Sequence, residues 1–184
     1  MIWYIWLIIS LVALIVIMFI YYYNRFAILG NRIDNSLAQI DVQLKRRADL
    51  VPNLVKVVKG YAKHESAMID KVTKAREALL KAGNIEGKIK AGDSLQAALK
   101  SIFALAENYP NLKANENFLQ LQQELSSIED KVAYSRQFYN DSILDFNNKV
   151  TTFPGAFFAS VYGKKARDFL KIMASEREMP KVDF

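Results

Sequence analysis

The 184-residue chain contains no cysteine and only one histidine. Without cysteine there is no disulfide framework, no thiolate metal site and no cysteine nucleophile. A single histidine excludes a two-histidine zinc site and any histidine cluster. Charge is absent from the first 24 residues, and Arg25 is the first charged side chain. That segment also lacks glycine, so it offers no GxxxG face for pairing with another helix. With no ionisable group inside it, an ion pathway or transporter core is disfavoured. Nowhere in the chain does a strand-like alternation of apolar and polar residues appear.

The residues that are present divide into two regions. Of the first 24 residues, 22 are apolar or aromatic, Ser10 and Asn24 being the exceptions. Hydrophobic residues make up 52% of the whole chain but only about 46% of residues 25–184, an ordinary value for a soluble domain. The reading is a membrane anchor over 1–24 and a helical body over 25–184. The anchor exceeds the ~20 residues that a helix needs to cross about 30 Å of hydrocarbon. Trp3, Tyr4 and Trp6 mark one end and Tyr21, Tyr22 and Tyr23 the other, a spacing that puts both groups at membrane interfaces. A cleaved signal peptide would want a basic start and small residues at a cleavage site, and neither is found. No Lys or Arg precedes the span, whereas Arg25, Arg32, Lys45, Arg46 and Arg47 come after it. The positive-inside tendency therefore predicts an N-terminus outside and a body in the cytoplasm. The net charge of +6 lies wholly after residue 24.

The body reads as all-α. A seven-residue repeat runs from Ile33 to Ala82: one position holds Leu37, Leu44, Val51, Val58, Glu65, Val72 and Leu79, the other Ile33, Ile40, Arg47, Leu54, Tyr61, Met68, Ala75 and Ala82. Such a stripe predicts one long helix, kinked at Pro52, which removes a backbone bond. Residues 83–93 read as a glycine-punctuated basic break, with Asp93 or Ser94 capping the next helix. That helix stops near Asn108–Asn111. A third helix starts around Asn115 with Phe118, Leu121, Leu125, Ile128, Val132, Ser135, Tyr139, Ser142, Phe146 and Val150 along one face. A final helical segment is expected from Ala156 to about Glu178. The economical arrangement is an up-down four-helix bundle with long helices of unequal length behind a single transmembrane helix.

Several runs resemble the LemA family of bacterial membrane proteins. They are Gln39 to Val55 (QIDVQLKRRADLVPNLV), Gly60 to Glu65 (GYAKHE), Glu116 to Leu119 (ENFL), Arg136 to Asn140 (RQFYN), Phe153-Pro154 and the terminal Pro180 to Phe184 (PKVDF). They cover nearly the whole chain in order. The resemblance implies a LemA-like, bromodomain-like four-helix bundle on an anchor in the bacterial cell membrane, and it implies no activity.

Three motifs point towards chemistry and fail. His64-Glu65 begins an HExxH pattern, but Met68 stands where the second histidine is needed. The run Gly83 to Lys88 is one residue short of a phosphate loop, and Ile89 replaces the magnesium-binding Ser or Thr. Lys45, Arg46 and Arg47 point about 100° apart on a helix, so they form no single patch. Arg47 falls on the apolar stripe, where an unpaired charge is costly; a partner such as Glu129, Asp141 or Asp145 is expected. Asp49, Asn53, Tyr61 and Glu65 on the first helix, with Arg136, Tyr139, Asn140 and Asn147 on the third, are candidates for a polar layer that sets helix register or faces a partner. Phe157, Phe158 and Tyr162, followed by Lys164, Lys165 and Arg167, are candidates for a bundle cap or for a contact with lipid or another subunit.

No catalytic constellation, cofactor site or small-molecule site emerges, and nucleic acid is a poor match. The expectation is a non-enzymatic, membrane-anchored binding or scaffolding protein. Its partners would be the lipid bilayer and either further copies of itself, as a homo-oligomer, or another membrane protein. The alternative is a membrane-organising or membrane-remodelling protein that acts through basic and aromatic surfaces.

Overall fold

The computed structural model describes residues 2–170, among which there is no strand. In order come α1 (Ile2–Tyr61), α2 (Ser66–Lys81), α3 (Ile85–Ala106), α4 (Pro110–Lys113), α5 (Glu116–Thr151) and α6 (Gly155–Val161). They sort into two compact units, the first built from 2–36 with 138–170 and the second from Leu37–Gln137. Stretches of α1 and α5 contribute to both, α2 to α4 belong to the second unit, and α6 belongs to the first.

The second unit is the product of the seven-residue repeat. On α1 the buried residues are Ile40, Leu44, Val51, Leu54 and Val58, and on α2 they include Val72 and Leu79. They meet Leu95, Leu99 and Ile102 of α3 and Phe118, Leu125, Ile128 and Val132 of α5 in one core, with α2 packed along α3. Pro52 lies inside α1 without ending it.

Two boundaries here differ from the sequence expectation. The repeat does not run in one helix to Ala82, because the chain leaves α1 after Tyr61 and re-enters helix at Ser66. Continuing the helix would have laid Glu65 on the apolar seam. The turn instead releases its carboxylate to accept a 3.0 Å hydrogen bond from the Tyr109 hydroxyl. The expected break over 83–93 is also much shorter. Asn84 caps α3 by accepting the Gly87 N–H at 2.8 Å, so Gly87 and Gly92 lie within the helix. Gly92 is a contact glycine: a Cβ there would come within 2.7 Å of Leu44 Cδ2. Its missing side chain lets α1 and α3 approach closely. The short α4, with Pro110 at its first position, was not foreseen.

In the first unit, the large apolar residues from Trp3 to Val16 are 46–66% exposed, with no protein cover. This helix is long and apolar enough to cross a membrane. Further along α1 the rings turn inward. Tyr22 stacks on Phe158 of α6 at 4.5 Å between centroids, and Phe26 meets Phe146 of α5 edge-on at 6.1 Å. The α5–α6 turn that permits this requires glycine at 155, since a Cβ there would sit 2.2 Å from the Lys149 carbonyl oxygen.

The expected helix from Ala156 to about Glu178 ends at Val161. Its stop is a Schellman motif: Gly163, at φ +62°, donates its N–H to the Ser160 carbonyl, and Lys164 donates to the Ala159 carbonyl. Residues 164–170 then continue without regular structure. The remainder of the expected segment and the terminal Pro180–Phe184 run lie outside the described residues.

Candidate functional site

The polar residues singled out from sequence do not form one layer. They fall into three groups, each set by the element that carries it.

The first group lies inside the second unit. Arg47, on the apolar seam of α1, is 1% exposed. It pairs with Glu129 of α5 and donates at 3.3 Å to the backbone carbonyl of Gly92 on α3. Two turns further along α5, Arg136 pairs with Asp93 of α3. Two cations and two carboxylates thus alternate across three helices. Burial pulls the Arg47 pKa below its ordinary value, and Glu129 opposes that pull; the charge of Arg136 lowers it further and that of Asp93 raises it. A guanidinium sealed among aliphatic side chains is tolerable only with such partners. Asp93, considered from sequence as a helix cap, is the partner that went unnoticed: its fit to Arg136 links residues 43 apart.

The second group rims an open cleft of about 640 Å³ in the second unit, between α1 and α5. Leu50, Val57 and Leu121 give it apolar wall, while Asn53, Asn115, Asn117 and Gln120 line it with amides. Tyr61 accepts a 3.0 Å hydrogen bond from the Asn115 side chain at its edge. Asn115 also caps α5, its Oδ1 accepting from the Phe118 N–H. The Tyr109–Glu65 bond raises the Tyr109 pKa, because only the neutral phenol can donate to the carboxylate. Asp49 is exposed and bonded to none of these. Amides both donate and accept, so the cleft suits a polar or main-chain surface.

The third group belongs to the first unit and holds the chain after α6. The Asn147 amide donates to the Arg167 carbonyl and accepts the Arg167 N–H, both at 2.8 Å. Asn140 treats Leu170 in the same way, at 3.3 and 2.9 Å. Each asparagine therefore grips one residue's backbone as a neighbouring strand would. Arg167 itself turns to Asp34 at 3.4 Å and lies 5.3 Å over the Phe146 ring. Tyr139 is buried, which raises its pKa against the opposing charge of Arg167, while Asp34 and Asp168 add to the rise.

The aromatic and basic candidates separate as well. Phe158 is buried against α1, and the Tyr162 hydroxyl donates to the Phe19 carbonyl at 2.9 Å. Phe157 faces outward at 58% exposure. Lys164 and Lys165 are exposed. Because α6 stops at Val161, no single helix joins Phe157 and Phe158 to Lys164, Lys165 and Arg167. Phe153 opens the Phe153–Phe158 run, the most apolar stretch of the sequence outside the span, and among the described residues it is the most exposed of the large apolar side chains at 90%. Among the described residues, no group of three or more His, Cys, Asp or Glu is placed to hold a metal ion.

The LemA family model matches residues 36–184. Among curated proteins, magnetosome protein MamQ 2 of Paramagnetospirillum magneticum is 26% identical over 175 residues, covering 81% of this chain and 64% of that protein. Protein LemA of Metamycoplasma hominis is 32% identical over 128 residues, 67% of this chain and 57% of its own length. Magnetosome protein MamQ of Magnetospirillum gryphiswaldense is 25% identical over 189 residues, with 88% and 69% covered. The chain thus spans less than two thirds of the length of MamQ 2 and of the mycoplasma LemA.

Proposed function

The chain belongs to the LemA family, and from that premise we propose that it is a non-enzymatic binding or scaffolding protein. It is tethered by α1 to the bacterial membrane and self-assembles or docks a partner through its helical body. In this reading the helical stretches of the second unit act as a four-helix bundle, and Arg25 and Arg32 hold the body on the cytoplasmic side. The amide-lined cleft between α1 and α5 carries the proposal. It is open, it mixes apolar wall with groups that match a peptide backbone, and it holds no nucleophile–base pair. The Arg47–Glu129 and Arg136–Asp93 pairs support a role in setting helix register, since each matches a cation to a carboxylate on another helix.

The test is photocrosslinking in native membranes with benzoylphenylalanine at Gln120, in the cleft, and at Leu80, exposed on α2 outside it. Adducts at Gln120, either of twice the chain's mass or with another protein, and none at Leu80 are expected. Equal adducts at both positions, or none at Gln120, would sink the proposal. The alternative of membrane organisation draws on a different feature, the outward aromatic face at α6.

A further inference from the structure

The segment from Phe153 to Tyr162 has two aromatic faces. The inner one rests on α1: Phe158 packs edge-on against Phe19 at 5.0 Å and stacks on Tyr22, while Tyr162 bonds the Phe19 carbonyl. The outer one carries Phe153, Phe157 and Val161, exposed by 90, 58 and 53%. Phe157 and Val161 are four residues apart and so share one side of α6. Lys164 and Lys165 come directly after, exposed.

The level of this segment along α1 is what gives it meaning. Phe19, Tyr22 and Tyr23 belong to the uncharged run that ends at Arg25. Phe19 is six residues before Arg25, about 9 Å along the helix axis at ~1.5 Å per residue. Interfacial elements bury their apolar face about 5–10 Å into the boundary between headgroups and acyl chains. A segment fastened to Phe19 and Tyr22 lies at that depth whenever α1 spans. Water is a poor solvent for three outward apolar side chains within nine residues, and at this level the medium is not water.

We propose that residues 153–161 are a second membrane contact, a short wedge whose outer face enters the bilayer interface beside the span, with Lys164 and Lys165 at the headgroups. The occupant of the face is lipid. The proposal rests on reading α1 as the anchor. It adds that the protein displaces interfacial lipid on one side of its own span, which is the geometry needed to act on bilayer shape. Gly155 and the inward Phe158 are positioning residues, for they hold the turn against α1.

The cysteine-free chain permits single-site spin labels without background. The full chain is prepared as V12C, L144C, F153C, F157C and V161C, each carrying a nitroxide, in vesicles of phosphatidylethanolamine and phosphatidylglycerol. Collision rates with oxygen and with a water-soluble nickel chelate report immersion. Val12 is an exposed residue of the span, and Leu144 is an exposed apolar residue of α5 in the same unit, more than two turns before the wedge. The expected result is an oxygen-to-nickel ratio several-fold higher at 12, 153, 157 and 161 than at 144. Ratios at 153, 157 and 161 equal to that at 144, with 12 immersed, overturn the wedge alone. If 12 is not immersed, the anchor reading fails. Low collision with both reagents at 153 and 157 means that protein covers the face, which overturns lipid as its occupant. Phe158→Ser, read through the label at 157, is expected to lower the ratio; an unchanged ratio contradicts the dependence on the inner face.

Discussion

The second unit is held by aliphatic rows with one ion-paired guanidinium sealed among them. The first is held by stacked rings and by asparagine amides gripping the chain beyond α6. The contrast arises from what each stretch of α1 has beside it. Around Arg47, α1 is enclosed by α3 and α5, so a polar group there must find its partners inside the unit. Around Tyr22 it is covered by the short α6 and, one turn on at Phe26, by α5, and the rings bury what they can while the rest of the apolar surface stays outward. The same helix is therefore a core element in one stretch and an uncovered apolar element in another. Only the supply of partners differs.

If this contrast is sound, substitutions should break the two units in different ways. The largest expected effect is Glu129→Ala, which leaves the Arg47 cation buried with only a carbonyl for company. Unfolding of the full chain in detergent should show a loss of about 3 kcal/mol. Arg47→Met should stay within about 1.5 kcal/mol of the parent, because an apolar side chain suits the seam and Glu129 keeps access to water. Equal losses would mean that the pair is not governed by burial of the cation. Next comes Gly155→Ala in the first unit. Its Cβ meets backbone that cannot swing aside, and a loss of about 2 kcal/mol in the same assay is expected.

A smaller effect is expected from the double substitution Asn140→Ala/Asn147→Ala. Each amide pair at this partly exposed site is worth roughly 1 kcal/mol, so loss of both should accelerate tryptic cleavage at Lys164, Lys165 and Arg167 by about 30-fold with little change in global unfolding. The smallest is a dependence on pH. Burial holds the Tyr139 phenol neutral above the usual tyrosine range. That contribution to stability is complete below the unfolded-state pKa, near 10, and fades as pH rises through the higher folded-state value. Stability of the parent should then fall more steeply than that of Tyr139→Phe above about pH 10.

Much of this was legible in the sequence, for particular reasons. The apolar run before Arg25 and the heptad seam from Ile33 onward are periodic signals carried by many residues, so they survive local irregularity. The seam even marked Arg47 as a charge in need of a partner. Glycine at 92 misled because its meaning depends on Leu44, which approaches it from α1. Without that neighbour, a glycine between lysines and an aspartate looks like a break. Asp93 looked like a cap for the same reason, its real partner being Arg136 on α5. The end of α6 was hidden because Ala156 to Glu178 has helical composition. What stops the helix is one glycine in the left-handed conformation, and what holds the chain afterwards is a pair of asparagines that bind backbone. Side chains that read backbone leave no trace in the residues they hold.

The most direct test of the account fills the cleft. Asn53 is exposed and lines it without entering the core, so Asn53→Trp obstructs the cleft and leaves the seam untouched. Crosslinking from Gln120 in native membranes, repeated in this background, should lose its adducts, whereas Leu80→Trp should retain them and unfolding should be the same in both. Adducts that persist undiminished with Trp at 53 would contradict the claim that this membrane-anchored protein works by docking through the cleft.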